Sequence, residues 1–356
     1  MFGPLGSRLP DHVMALEKVS LEPAWEYDDP IGLTKCFLKI LARCQEFDAI
    51  LFNIYLTSFG NGELANGLGL SIPIALGALA PNRVVVYMHN FLETSDVASL
   101  GYNPSLTQRV MVRTLEALLS MLTRVVVPLP SQVTTMRSLL PGPIQQVFVP
   151  HVDAFANPVQ ANRRAESPSA TPVDKPVSIL LFGAWGPQKD LVGVIDCLES
   201  LRADGHNFSV VVAGHVNSAF EGSADQIHRL EQRLPHDVYR FILEVPDRAV
   251  APLFEAATLV ILPYNATGGF SGVMSLASYY CVPIISYDLP GMRETATLLN
   301  IDCEFVRPRD PVSLSLAISK VACGNSRQTS STDAPSGNPG NLELISVRSA
   351  LQILGY

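Results

Sequence analysis

The sequence predicts an α/β fold of two doubly wound domains, each with a mainly parallel sheet. Three observations predict it. Hydrophobic residues make up 47% of the chain and charged ones only 16%, the balance expected when central strands are buried on both faces. Apolar runs of strand length alternate with longer segments of helical spacing. Several of those runs end in glycine or in a small-residue loop that opens a helix. With 356 residues the chain holds two domains of ordinary size.

Net charge is -8 and the pI about 5.4. That argues against nucleic-acid binding, a function that shows a basic face. It leaves room for a small anion held by backbone N–H groups and one or two cations. The six cysteines, Cys36, Cys44, Cys197, Cys281, Cys303 and Cys323, make no Cys-x-x-Cys pair. No metal site and no disulfide framework are expected, and a reducing, cytoplasmic setting fits. The opening residues lack a cationic segment leading into an apolar one, so no signal peptide is expected. The apolar segment 68–80 is too short, and too rich in glycine and proline, for a membrane span.

In chain order, residues 12–21 have the mixed apolar character of a strand. Asp28-Asp29-Pro30 reads as a helix start, and Leu33, Phe37, Ile40 and Leu41 space a helix over 31–43. FDAILFNIY (47–55) is read as a buried strand. Residues 56–69, rich in glycine and asparagine, are read as a long loop. RVVVYMH (83–89) is a second buried strand, ending at His89-Asn90. A helix over 104–122, a short strand over 123–127, a helix over 130–140 and a strand over 145–150 follow. The first domain closes at residue 153, with His151 as a hinge residue. Residues 154–176 are rich in Ala, Pro and Ser and read as a linker, with Arg163 and Arg164 facing solvent.

The second domain, 177–322, opens with a strand over 177–183, a loop carrying Lys189, and a helix over 191–201. A strand over 208–214 ends at Gly214-His215. A helix over 226–234, a strand over 241–245 and a helix over 249–256 follow. Residues 304–306 form a further strand and 312–322 a helix. The remainder, 323–356, is a low-complexity tail expected to be disordered, with a short helix over 342–354.

Residues 259–295 organise the rest. An apolar run, Leu259-Val260-Ile261-Leu262, stops at Pro263 as a buried strand does. The small-residue loop Ala266-Thr267-Gly268-Gly269-Phe270-Ser271-Gly272 leads into a helix over 273–280, and a strand over 283–286 follows. A strand, a glycine-rich loop and a helix make an anion site, because glycine admits close approach and unpaired N–H groups face the ligand. The same pattern also serves as a tight strand-to-helix turn.

This stretch resembles the donor-sugar loop of GT-B glycosyltransferases, the family 4-like group. The matching pieces are Leu262-Pro263-Tyr264, Gly269-Phe270-Ser271-Gly272-Val273, Cys281-Val282-Pro283-Ile284-Ile285 and Gly291-Met292-Arg293-Glu294. The resemblance implies two Rossmann-like domains facing across a cleft, and a nucleotide-sugar donor bound as substrate with no cofactor or metal. It implies that Gly183, Lys189, Gly269, Ser271, Gly272 and Val273 bind the donor diphosphate. His215, Val245, Pro246, Tyr264 and Glu294 would line the donor or base pocket. His89, at the carboxyl end of its strand, would be catalytic; the other reading is a hydrogen-bonded loop histidine. Lys189 at a helix start reads alternatively as a solvated residue.

The pattern is also broken. Aligned on Pro283, the family's glutamate pair falls on Gly268 and Leu276, and the usual arginine after Gly183 is replaced by Ala184-Trp185. Thr258 stands in place of an aspartate. The amino-terminal domain is expected to lack its first strand-helix unit, which leaves a sheet edge unpaired. The expected activity is hexosyl transfer from a nucleotide-diphosphate sugar to a glycan or lipid-linked acceptor, with peripheral contact at the inner face of a membrane. The alternative is a catalytically inactive GT-B protein acting as a binding or scaffold partner. An epimerase or a phosphorylase of the same fold is a weaker rival.

Overall fold

Valine-rich runs with no polar face belong inside a sheet covered on both sides, and the strands lie so. The computed structural model describes residues 2–4, 22–26, 29–55, 58–59, 63–92, 104–148, 177–216, 222–266 and 269–322. The expectations for a strand over 12–21, a hinge at His151, the 154–176 linker and the tail lie outside the described residues. The chain divides into two compact units, each with its own sheet.

In the first unit β1 (Phe2–Pro4) and β2 (Glu22–Trp25) pair as a separate parallel ribbon. The sheet itself has the order β3-β4-β5-β6, all parallel, from β3 (Ile50–Ile54), β4 (Val84–Met88), β5 (Arg124–Val127) and β6 (Ile144–Gln146). Helices α1 (Pro30–Arg43), α2 (Glu63–Leu79), α3 (Leu106–Leu122) and α4 (Pro130–Leu139) connect them. Asp29 caps α1 by accepting from Gly32 N, with Pro30 at the first helical position. Ser105 and Gln108 form a reciprocal capping box on α3.

Two expectations need correction here. The strand read as buried over 47–55 is shorter and stands at the edge of the sheet among the described residues. Its side chains alternate in exposure, with Leu51 outward and Ile54 inward, because an edge strand here packs on one face only. The expected loop over 56–69 is half helix: α2 begins at Glu63. Two glycines of this helix, Gly69 and Gly77, serve packing. A Cβ on Gly69 would stand 2.1 Å from the ring of Phe59, and one on Gly77 2.3 Å from the Leu122 carbonyl oxygen.

The second unit has a six-stranded sheet in the order β12-β11-β10-β7-β8-β9, all parallel. Its strands are β7 (Val177–Trp185), β8 (Phe208–Val216), β9 (Tyr239–Leu243), β10 (Leu259–Leu262), β11 (Ile284–Tyr287) and β12 (Glu304–Val306). The helices are α5 (Leu191–Ala203), α6 (Ser223–Arg233), α7 (Asp247–Ala256), α8 (Gly272–Tyr279), α9 (Pro290–Leu299) and α10 (Pro311–Ala322). A core of Ile179, Leu181, Val194, Leu198, Val210 and Val212, extended by Ile227 and Leu314, fills one face.

Both β7 and β8 run two residues past the glycines where the sequence ends them. Gly183 and Gly214 are opposite each other in register, at φ +118° and +129°. A Cβ on Gly214 would lie 2.0 Å from the Gly183 carbonyl oxygen. The glycines therefore bend two strands in contact instead of ending them. Strand β9 stops at Leu243, not Val245, because Glu244 turns to φ +65° and gives its N–H to Gly214 O.

Candidate functional site

The chain enters the second sheet at its middle. It builds β7, β8 and β9 outward, then returns to place β10 on the other side of β7. The connections leaving β7 and β10 therefore diverge, and an open α/β sheet keeps its ligand crevice at such a switch point, beyond the carboxyl ends of the strands.

The segments after these two strands are tied together. Lys189 and Tyr264 form an antiparallel bridge. Asp190 N donates to Pro263 O, and Asn265 N to Gln188 O, each at 2.8 Å. The Asn265 side chain donates to Pro187 O and accepts from Arg309 Nε. Asp190 caps α5 through Gly193 N and also accepts from the Tyr287 hydroxyl at 2.8 Å. Burial, together with that carboxylate, holds the Tyr287 phenol well above its ordinary range.

Lys189 points into this knot. It is 7% exposed, and Nζ donates to Phe182 O at 2.7 Å. It lies 4.7 Å from the centre of the Trp185 ring and 4.9 Å from that of Tyr264. Its amine occupies the space a Cβ on Gly183 would need, 2.6 Å away. Burial lowers its pKa from 10.5 to about 7. The solvated reading of Lys189 does not hold.

Helix α8 brings the third component. Ser271 is its N-cap, 4% exposed, accepting from Met274 N at 3.2 Å and donating towards the Tyr264 hydroxyl at 3.4 Å. The first turn leaves N–H groups of the Gly272-Val273 segment at the helix start. Val273 Cγ2 comes to 3.3 Å of a Cβ position on Gly183. Gly183, Lys189, Tyr264, Ser271 and Val273 thus converge on one spot, and Gly269 and Gly272 flank it, half-buried. A buried amine beside a helix N-terminus suits an anion.

The other expected residues are spread around this centre. His215 is exposed on β8, paired in register with Ala184. Burial and the Lys189 charge lower its proton affinity. Val245 N reaches Gly214 O at 3.4 Å, and Pro246 is the exposed N-cap residue of α7. Glu294 is half-buried within α9. Leu276, at a glutamate position of the family pattern, is buried in α8. Trp185 is buried in β7, with Nε1 donating to Ala213 O.

In the first unit, His89 sits at the carboxyl end of β4, as expected, but is only 2% exposed. Nε2 is hydrogen-bonded to Asn53 Oδ1. The ring stacks on Tyr55, centroids 4.2 Å apart, and meets Tyr87 edge-on. Its backbone N–H donates to Ile54 O, and its carbonyl accepts from Gln132 Nε2. This histidine is packed, not presented to solvent.

Sequence reading missed Trp185, Asp190, Asn265, Tyr287 and Arg309. Only Asp190 carried a usable signal, a carboxylate just before a helix. A cavity of about 750 Å3 lies elsewhere, over the amino-terminal halves of β7 and β8 and beside α7, and includes Leu180, Val211, Arg240 and Arg248 in its walls. None of the residues gathered around Lys189 lines it.

Two all-parallel sheets, each in its own unit, are the architecture of the GT-B glycosyltransferase fold. Residues 162–329 match the family described as glycosyl transferases group 1, so the resemblance carried by the donor loop holds over that stretch. Solved structures agree over nearly the whole chain. Sucrose-phosphate synthase from Thermosynechococcus elongatus is 16% identical, with 91% of this chain and 77% of that one covered and a TM-score of 0.62. Anabaena HepE, solved with UDP, is 15% identical, with 95% and 87% covered and a TM-score of 0.62. A UDP-forming α,α-trehalose-phosphate synthase from Burkholderia xenovorans, solved with glucose-6-phosphate, is 13% identical, with 91% and 77% covered and a TM-score of 0.63. Likeness at this identity is likeness of fold. No curated protein matches the chain in sequence.

Proposed function

We propose that the chain moves a hexosyl group from a nucleotide-diphosphate sugar to a glycan or lipid-linked acceptor, with the donor diphosphate seated at the β7/β10 switch point. The observation that carries this reading is the convergence of Lys189 Nζ, Gly183 and the first turn of α8. In such a transfer the bond from the anomeric carbon to the diphosphate oxygen breaks, and the diphosphate leaves with added negative charge. Backbone N–H groups at 271–273 and the Lys189 amine are fixed donors for that charge. His215, Val245 and Pro246, at the end of β8, would border the base, with Tyr264 and Glu294 towards the sugar. His89 is the residue proposed to act on the sugar or acceptor.

The solved complexes of HepE with UDP and with UDP-glucose make a uridine nucleotide the first donor to try. The proposed setting is cytoplasmic, with peripheral contact at a membrane when the acceptor is lipid-linked. Among the described residues no helix is long and apolar enough to cross a membrane. A second reading, an inactive GT-B protein that binds nucleotide or partner, is favoured by Leu276, a buried apolar residue where the family pattern has a carboxylate.

Thermal denaturation with UDP, GDP, ADP, CDP and dTDP tests the site. A ligand at 100 times its Kd stabilises the folded state by about 2.7 kcal/mol. One nucleotide is expected to raise Tm in the wild type and not in Lys189→Ala. No shift with any of them would favour the scaffold reading. Hydrolysis of the matching sugar nucleotide then separates an enzyme from a sensor.

A further inference from the structure

A lysine that binds phosphate is ordinarily a hydrated ammonium, charged before the ligand arrives. Lys189 is placed differently. Among the described residues, its side chain makes one hydrogen bond, from Nζ to the carbonyl oxygen of Phe182. Two ring faces and the Gly183 backbone enclose the rest of it. Among the described residues no carboxylate pairs with it.

Among the described residues, the titratable groups packed round it are committed elsewhere or bring no negative charge. From α5, the Asp190 carboxylate is held by Gly193 N and the Tyr287 hydroxyl of β11. From the segment after β10, the Tyr264 phenol is engaged by Ser271 and kept neutral by burial. From β8, His215 is a second base whose own proton affinity is lowered by burial and by the Lys189 charge, and it brings no negative charge to the site. The first turn of α8 contributes only N–H dipoles, which also repel a cation. Aromatic faces attract an ammonium, but they do not replace its water.

We infer that the diphosphate enters this site together with a proton: Lys189 rests as a neutral amine against the Phe182 carbonyl and becomes an ammonium when the anion is seated beside it. This rests on the donor-site reading above and adds to it a control by pH. Both halves of the cycle balance. The free site holds a neutral amine donating one N–H to Phe182 O. The filled site holds an ammonium with a further N–H for the diphosphate, the extra proton coming from solvent. Burial, which lowers the lysine's pKa to about 7, agrees with the geometry. The sign follows. Below about pH 7 the lysine is charged with or without ligand, and affinity is level. Above it each pH unit weakens binding about tenfold, until the raised pKa of the complex is passed.

Two measurements test it. The first needs no ligand: the lysine Cε–Hε resonance of Lys189 in the free protein, assigned by its absence in Lys189→Met, should titrate near pH 7. A midpoint near 10 overturns the proposal. The second is calorimetry at pH 8 with UDP-glucose, in buffers of different ionisation enthalpy. Close to one proton should be taken up per bound ligand, in His215→Ala as in the wild type. Uptake of no proton, or uptake that vanishes in His215→Ala, overturns the linkage and leaves the donor site standing. If UDP-glucose and the nucleoside diphosphates above fail to bind at pH 6.5 as well as at pH 8, the donor reading falls and this inference with it.

Discussion

A lysine ammonium in an apolar surround loses its hydration and recovers little from one carbonyl and two ring faces. Lys189 therefore costs stability in its charged form. The unfolded chain holds the proton up to about pH 10.5 and the folded chain only to about 7, so between these values the unfolded state binds more protons, and stability from this group rises with pH. Lys189→Met should thus be more stable than the wild type at pH 6.5. That advantage should shrink by about 1 kcal/mol per pH unit between pH 7 and pH 10; urea denaturation across that range reads it. An advantage constant with pH would show that the lysine is charged throughout. At the paired glycines the prediction runs the other way. Gly214→Ala meets a backbone carbonyl at 2.0 Å and a φ of +129°, and should cost about 2 kcal/mol or more in thermal or urea unfolding. Gly183→Ala also meets an unfavourable φ, +118°, but its nearest neighbour is the movable end of Lys189. It should weaken nucleotide binding by more than its effect on stability accounts for, as paired binding and unfolding curves will show.

At the scale of elements, the site is two loops and a helix start held by short-range bonds. Ser271 both caps α8 and ties it to Tyr264. Ser271→Ala should cost about 1 kcal/mol and lower Tm by about 2–4 °C for a unit of this size, in a melting experiment without ligand. The β10-loop-α8 sequence was legible because its apolar run, proline and small residues each signal the same turn. Lys189 was legible as a position, though its burial was not, since no local pattern tells that Trp185 and Tyr264 fold over it. Trp185 itself was read as loop because Gly183 looks like a stop. Only the register opposite Gly214 reveals a bend in a continuing strand. The first turns of α2 were lost for the same reason: Gly67 and Gly69 resemble a mobile loop until Phe59 is seen to lie on Gly69.

Over the whole molecule, the α/β class followed from composition and period alone. A protein with 16% charged residues has few groups to spare from its surface, and strands such as β4 and β10 are buried throughout. The strand order was not legible from local pattern, because side-chain period fixes which face is buried and not which strand is the neighbour. Yet that order carries the function proposed. It sets β7 beside β10, and so Lys189 beside Tyr264 and the start of α8. A crystal structure of the protein with UDP or UDP-glucose bound is the most direct test. The account predicts phosphate oxygens within about 3 Å of Lys189 Nζ and of the N–H groups at 271–273. A nucleotide bound elsewhere, with no phosphate near Lys189 Nζ or at the first turn of α8, would contradict it.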